Sequence, residues 1–182
     1  NVPMGYQKLK YRLYRVVFDE QTGALADSIE KITIPDEELK SVSFPSVSPD
    51  GRYVLYTVTQ SGTFPVHHKD ADLEMLDLNT GLPVDIGVLN SRFCESYHVW
   101  SSSGRWIAFS SRRMDNLYTH TYFAYFDRYG KAGKPFILPQ RDPDYYVTGL
   151  KSFNIPEFIK GPVRVSPYEL EKVINGKAEN AL

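Results

Sequence analysis

Two stretches of the sequence share one pattern and decide the fold: "PSVSPDGRYVLYTVTQ", Pro45 to Gln60, and "HVWSSSGRWIAFSSRR", His98 to Arg113. When Gly51 is aligned with Gly104, 53 residues later, the serine, arginine and aromatic positions around the two glycines also match. Each stretch joins two strand-like runs through a glycine turn. Self-similarity at a period of about 50 residues is typical of solenoid and propeller proteins.

A second pattern recurs three times and extends the repeat. "LEMLDLNTG" (Leu73 to Gly81) resembles "FAYFDRYG" (Phe123 to Gly130), and a third copy, "LYRVVFDEQTG" (Leu13 to Gly23), precedes both. An aspartate holds the same place in the three copies: Asp19, Asp77 and Asp127. A full repeat unit is therefore predicted to consist of four short strands joined by a turn, a loop and a second turn.

The local chemistry indicates which repeat architecture forms. "SPDG" is a strong turn signal, because proline presets φ, aspartate bonds its own backbone and glycine accepts positive φ. The runs "RYVLYTV" and "RWIAFSS" are apolar on both sides, so both faces of their sheets should be covered. Stacked four-stranded antiparallel blades of a β-propeller meet this requirement, with Tyr56 and Phe109 in the core. A two-sheet sandwich with seven short strands is the alternative, although it does not require a long repeat.

These segments also carry a family resemblance. "FPSVSPDGRYVLYT" and "YHVWSSSGRWIAFSSRR" resemble the repeats of TolB-like (WD40-like) six-bladed β-propellers, which are related to the propellers of prolyl-oligopeptidase-type enzymes. The resemblance covers about Tyr11 to Gln140. The second copy departs from the pattern at Ser102 and Ser103, where the family has Pro-Asp, and the first copy lacks its inner strand pair. The resemblance implies a periplasmic or cell-envelope protein that binds partners instead of catalysing a reaction.

The predicted fold is all-β, a partial propeller that occupies residues 1–140. Within it we expect an outer half-blade at about 6–34 and four-stranded antiparallel blades at about 41–90 and 91–140. Propellers usually have four to eight blades. We therefore expect the chain to be the C-terminal part of a larger propeller, with Asn1 near a cut. Missing blades or a second copy of the chain are expected to cover the bare blade edge at the N-terminal side.

Residues 141–182 are predicted to form an extended C-terminal tail, since their prolines favour an extended path over a surface. Ser166 followed by Pro167 predicts a short helix at about 167–175. Four apolar residues are expected to anchor the tail on the propeller: Phe153, Ile155, Phe158 and Ile159.

Composition and charge exclude several classes of protein. The 182 residues are 42% hydrophobic, with 21 basic and 22 acidic residues and a net charge of −1. This balance gives no electrostatic reason to expect nucleic acid or an anionic membrane as a partner. The apolar runs are far shorter than the roughly 20 residues of a membrane-spanning helix. We expect a protein or peptide partner and no cofactor.

The sequence contains no common catalytic motif. Gly-x-Ser-x-Gly, GxGxxG, P-loop and HExxH patterns are absent. "HHKDAD", His67 to Asp72, is interpreted as a solvated loop without a metal, because adjacent histidines on a strand point in opposite directions. Cys94, the single cysteine, is expected to be a buried small hydrophobe. We therefore predict a non-catalytic binding or scaffolding module. The alternative is an accessory substrate-gating propeller domain of a larger enzyme whose catalytic part lies outside this chain.

The candidate binding site lies on the loops opposite the "SPDG" turns. The segments 59–72 and 110–120 should share one rim, since binding residues gather on loops held by a rigid scaffold. A patch for an anionic or peptide ligand is predicted from four residues: His98, Arg112, Arg113 and Tyr118. Alternatively, Arg112 pairs with Asp115 or a blade carboxylate and only ties the loop down. A carbohydrate-binding surface is the third possibility, from Tyr97, Trp100 and Trp106.

Overall fold

The structure is a computed structural model that describes residue 5 and residues 8–62 and 64–176. Its strands are β1 (Leu13–Phe18), β2 (Leu25–Ile32), β3 (Ser41–Val47), β4 (Tyr53–Thr59), β5 (Asp72–Asp77), β6 (Leu82–Val84), β7 (Glu95–Trp100), β8 (Trp106–Ser111), β9 (His120–Tyr125) and β10 (Phe136–Ile137). Two α-helices follow, α1 (Tyr145–Thr148) and α2 (Pro167–Ile174). The predicted limits at Asn1, Tyr6 and Leu182 lie outside the described residues.

Strand pairing confirms the all-β partial propeller. Strands β3 to β6 form one four-stranded antiparallel sheet in chain order, which we call blade 1. Strands β7 to β10 form a second sheet of the same order, blade 2. Each sheet is built from one repeat, as in a propeller, whereas a Greek-key sandwich exchanges strands between its two sheets. The sheets do not close into a ring, and β1 and β2 form a separate two-stranded hairpin.

The turn between the first two strands is the same in both blades despite different residues. In blade 1 the hydroxyl of Ser48 accepts a hydrogen bond from the backbone N–H of Tyr53 at 2.9 Å. In blade 2 Ser101 accepts from the N–H of Trp106 at 3.1 Å. Ser48 also bonds Asp50, and Ser101 bonds Ser103 instead. The serine at position 103 therefore replaces the aspartate of the repeat pattern without loss of the turn.

The main core lies between the two blades. One face of blade 1 packs on one face of blade 2, and the contact is rich in large side chains: Tyr53, Leu55, Leu73, Met75, Trp100, Ile107, Phe109, Tyr122 and Phe126. Tyr56 lies in a second cluster on the opposite face of blade 1. The predictions for Tyr56 and Phe109 are confirmed, because both side chains are fully buried at 0% exposure.

The hairpin of β1 and β2 is attached to blade 1 mainly at its base. Leu13 lies in the second core cluster, and Ile32 packs against it. The rest of β1 and nearly all of β2 is exposed. Six apolar side chains of the hairpin remain uncovered: Tyr14, Val16, Val17, Phe18, Leu25 and Ile29. The hairpin lies within the range 6–34 where the repeat predicts an outer half-blade, and its assignment as half of a blade stays a prediction.

The tail covers part of the free face of blade 2. The N–H of Phe153 donates to the carbonyl of Thr119 at 2.8 Å, and the hydroxyl of Ser110 donates to the carbonyl of Phe153 at 3.3 Å. Phe158 contacts Phe123 with ring centroids 5.9 Å apart. The anchoring prediction is wrong for the two remaining residues, Ile155 and Ile159, which are both 60% exposed.

Only one of the two helices has a clear signal in the sequence. Helix α2 begins at Pro167 after an N-cap serine, where the sequence predicts it, whereas α1 carries no side-chain cap and was not predicted. Within the described ranges, neither helix has the length and apolar character needed to cross a bilayer.

Candidate functional site

The first strands of the two blades, β3 and β7, carry the same backbone irregularity. The pairing of β3 with β4 shifts register between Ser43 and Ser46, and that of β7 with β8 shifts between Ser96 and Val99. Each bulge contains an aromatic residue with a left-handed backbone: Phe44 with φ 53° and Tyr97 with φ 47°. Such a conformation costs an L-residue roughly 1–2 kcal/mol, and backbone strain of this kind clusters at functional sites.

The two strained residues lie next to each other in space. Their rings meet edge to face with centroids 5.0 Å apart. Phe44 is 40% exposed and Tyr97 is half-buried, so both offer ring surface to solvent. The innermost strands of propeller blades border the central channel. Phe44 was missed by the sequence interpretation, although the 53-residue offset that aligns the glycines also aligns Phe44 with Tyr97.

His98, a predicted site residue, is buried between the blades. Its Nε2–H donates to the carbonyl of Leu55 at 2.9 Å, because a carbonyl can only accept. Its Nδ1 lies 3.4 Å from the hydroxyl of Thr57, which can donate to it. Burial lowers the pKa of His98 to about 4, although the hydrogen bond to the Leu55 carbonyl favours the charged form. His98 thus joins the inner strand of blade 2 to the second strand of blade 1 as a neutral ring.

Arg113, the second predicted residue, belongs to a buried ion-pair network. Its Nη2 lies 3.2 Å from Oε1 of Glu95, a carboxylate with 0% exposure. The same carboxylate accepts hydrogen bonds from the hydroxyls of Ser91 and Ser111, both at 2.7 Å. Arg113 also donates to the carbonyl of Leu89 and stacks over the ring of Tyr122. This network ties the ends of β7 and β8 to the link between the blades.

Arg112 and Tyr118 lie on the loop between β8 and β9 and are half-buried. Among the described residues, no ion pair joins Arg112 to Asp115, whose carboxylate accepts the backbone N–H groups of Leu117 and Tyr118 at 2.8 and 2.9 Å. The Nε of Arg112 is buried and has no hydrogen-bond partner in the described ranges.

The structure brings three of the four predicted site residues onto one loop but holds the fourth elsewhere. No hydrogen bond, ion pair or ring contact in the described part of the chain joins His98 to Arg112, Arg113 or Tyr118. The grouping of these four residues into one ligand patch therefore stays a prediction.

The two tryptophans do not share a surface with Tyr97. Trp100 is only 7% exposed, and its indole N–H donates to the carbonyl of Ser46 at 3.2 Å. Trp106 is 38% exposed on the face of blade 2 that the tail partly covers, where it contacts Tyr125. The three rings therefore do not form the carbohydrate platform considered as an alternative.

Cys94 and Asp70, a possible nucleophile and a possible metal ligand, both form hydrogen bonds with backbone groups. The thiol of Cys94 is 1% exposed, donates to the carbonyl of Pro65 at 3.2 Å, and has a pKa raised by burial to about 11. Its predicted burial is confirmed. In the "HHKDAD" loop, Asp70 accepts the backbone N–H of Gln60 at 2.6 Å. The described residues contain no group of three or more histidine, cysteine or acidic side chains placed to hold a metal ion.

Comparison with known proteins adds structural neighbours only. No protein family model and no curated protein sequence matches this chain. Among solved structures, the chain is similar to the Dos1 propeller, with 19% identity and a TM-score of 0.46 over 71% of this chain and 32% of that one. It is also similar to a chain from a study of two prolyl endopeptidases, with 13% identity and a TM-score of 0.29 over 62% of this chain and 23% of that one. The chain spans about a third or less of each of these proteins, and its own strand pairing identifies it as part of a β-propeller.

Proposed function

We propose that this chain is a segment of a TolB-like propeller that binds a protein or peptide partner in the cell envelope and catalyses no reaction. The observation that carries the proposal is the Phe44–Tyr97 pair, two partly exposed aromatic rings held in contact by strained backbone on neighbouring inner strands. Aromatic residues dominate the energy of protein interfaces. The envelope location follows from the family resemblance of the repeats.

The surface around the pair defines the chemistry of the partner. Pro45 and Val47 are exposed beside Phe44, and β3 carries no charged residue. An apolar surface with aromatic edges fits the proline or aromatic side chains of an extended peptide. The phenol of Tyr97 can give or take one hydrogen bond from such a peptide.

The four predicted site residues take different parts in this proposal. Arg112 and Tyr118 are proposed as contacts for the partner at the loop rim, since both side chains are partly exposed. His98 and Arg113 are proposed as positioning residues, because their hydrogen bonds hold β7 and the ends of its neighbours in place. Removal of either should weaken binding through the shape of the inner strands.

Selection and mutation test the proposal together. Peptides that bind the intact protein are selected from a random displayed peptide library. Their affinities are then measured for the variants Phe44→Ala and Tyr97→Ala and for the control Tyr129→Ala. Tyr129 is 76% exposed on the turn between β9 and β10 and is the matched aromatic. We expect proline- or aromatic-rich peptides whose affinity falls about tenfold or more in the first two variants, the loss of a buried aromatic contact. Peptides that bind all variants equally would refute the proposal.

We further propose that the uncovered hairpin face is covered in the working protein, by further blades or by a second copy of the chain. Tyr14, Val16 and Ile29 expose a contiguous apolar face, and such faces mark interaction sites. Sedimentation of the 182-residue chain at several concentrations, with Ile29→Lys as the comparison, separates the outcomes. If the unsubstituted chain stays a soluble monomer at every concentration, this proposal is contradicted.

A further inference from the structure

A second apolar surface lies on blade 2, on the face opposite the inter-blade core. Strand pairing places four aromatic side chains on this face, and we call them the aromatic patch: Trp106, Phe123, Tyr125 and Phe136. Three of them are substantially exposed, Trp106 at 38%, Tyr125 at 47% and Phe136 at 45%. The matching face of blade 1 is buried beneath blade 2. The aromatic patch therefore offers the kind of surface that this fold normally covers.

The tail already reaches the edge of the aromatic patch. Phe158 lies against Phe123 at 5.9 Å, and Phe123 stacks on Phe136 at 6.0 Å. Phe136 in turn contacts Trp106 at 6.1 Å. The existing contact between tail and blade thus stops where the exposed part of the patch begins.

Helix α2 follows in the tail and is preformed but undocked. Ser166 and Glu169 form a reciprocal capping box, with Glu169 N–H to Ser166 at 3.2 Å and Ser166 N–H to the Glu169 carboxylate at 2.7 Å. Val165 and Leu170 border the same open surface depression and occupy the two positions that form a hydrophobic staple. None of the eight residues of α2 is buried. One side of the helix carries an apolar stripe at helical spacing: Leu170, Val173 and Ile174.

The tether between Phe158 and α2 is long enough for docking. Pro167 lies nine residues after Phe158, and an extended segment of that length spans up to about 30 Å. The three successive ring contacts keep Trp106 within about 18 Å of Phe158. A short tether gives the helix a high effective concentration at the patch.

We propose that α2 docks on the aromatic patch of its own chain through Leu170, Val173 and Ile174, so that the tail closes as a strap over blade 2. Glu169, Glu171 and Lys172 then remain in water. The strap covers the free blade face without a second chain. It does not depend on the partner site at Phe44 and Tyr97, which lies on the inner strands.

Trp106 serves as the reporter for this docking. The protein has two tryptophans, and Trp100 is buried, so acrylamide quenching of fluorescence reports mainly on Trp106. We compare the intact chain with Val173→Asp, which places a charge in the stripe, and with Lys172→Asp, which places the same residue on the other side of the helix. The expected result is a loss of shielding in Val173→Asp and none in Lys172→Asp. Equal quenching of the intact chain and Val173→Asp would overturn the proposal.

Two further outcomes are decisive. Shielding of Trp106 that rises with protein concentration would show a second copy on the patch and would also overturn intramolecular docking. In a double-mutant cycle on the unfolding midpoint, Trp106→Ala and Val173→Ala should be non-additive, whereas Trp106→Ala and Lys172→Ala should add. Additive effects in both pairs would mean that α2 and the patch do not touch.

Discussion

Phe44 and Tyr97, 53 residues apart in sequence, occupy the same bulge of two neighbouring blades and hold their rings 5.0 Å apart. The bulge is therefore a property of the repeat and not of one strand. A β-bulge re-aims the side chains around it and increases local twist. In this protein it turns one aromatic ring of each blade toward its neighbour and leaves the next residue of β7, His98, facing blade 1.

The left-handed backbone at Phe44 predicts that glycine is more stable than alanine at this position, which reverses the usual order in a strand. At an ordinary strand position alanine is more stable than glycine, but at φ 53° glycine avoids a steric cost of about 1 kcal/mol. We expect Phe44→Gly to be more stable than Phe44→Ala in urea unfolding. Val47, exposed on the same strand, is the control and should show alanine as the more stable variant. The usual order at both positions would show that the bulge is absent.

The buried ion pair of Glu95 and Arg113 predicts a large and partner-dependent loss of stability. Arg113→Met leaves a fully buried carboxylate without its cation, which should lower the free energy of unfolding by about 3–5 kcal/mol. The exposed pair Arg15–Glu30 provides the comparison, and Arg15→Met should change stability by less than about 1 kcal/mol. The double variant Glu95→Gln with Arg113→Met should regain part of the loss. If Arg113→Met is as mild as Arg15→Met, Arg113 does not serve as a structural tie.

His98 predicts a pH dependence of stability. Its pKa is about 4 in the folded chain and about 6.5 when unfolded, so the unfolded state binds more protons between these values. The contribution of the neutral ring is complete above pH 6.5 and is lost as the pH falls toward 4, by roughly 3 kcal/mol. Asp72 acts in the opposite sense, because burial raises its pKa to about 6 and its contribution is lost as the pH rises.

A comparison of variants separates the contribution of His98 to the pH dependence of stability from that of Asp72. Unfolding free energies measured from pH 7 to pH 4 should fall more steeply in the intact protein than in His98→Gln. His67→Gln, at an exposed position, should retain the steep fall. A slope that His98→Gln leaves unchanged would show that His98 already takes up its proton in the folded state.

His120 predicts a stabilising substitution. It is fully buried against Tyr146 and Phe153, burial lowers its pKa, and neither ring nitrogen has a hydrogen-bond partner among the described residues. Unpaired buried polar groups cost about 1–3 kcal/mol, so His120→Phe should raise the unfolding free energy by about 1 kcal/mol. His98→Phe, which removes real hydrogen bonds, should lower it. Equal losses in the two variants would mean that His120 has a partner, such as a bound water.

The strands and turns could be predicted because their signals are local. Serine at positions 48 and 101 and glycine at 51 and 104 close the same turn through contacts within six residues, so the turn survives the change of Asp50 to Ser103. The repeat then predicts how the blades are arranged, since two similar four-stranded units are expected to pack face to face. The hairpin of β1 and β2 follows from the third copy of the aspartate turn, at Asp19.

The candidate site could be predicted only in part, because its geometry depends on contacts between distant residues. Nothing in the sequence marks Phe44 as left-handed, since neighbouring strands and not local propensity impose that backbone. The direction of His98 follows from the bulge before it, and the partner of Arg113 lies 18 residues away. The charged and aromatic residues at and beside the predicted loop suggested a recognition site. In the structure, however, His98 and Arg113 hold the blades and their strands together.

The buried thiol of Cys94 makes the chain convenient for site-specific labelling. A thiol with a pKa of about 11 and 1% exposure reacts slowly with maleimides, because reaction requires an accessible thiolate. Single cysteines introduced on α2 or at the aromatic patch can therefore be modified or cross-linked while the native residue stays in place. The rate at which Cys94 itself is labelled then measures how often the loop around Pro65 opens, without any engineered probe.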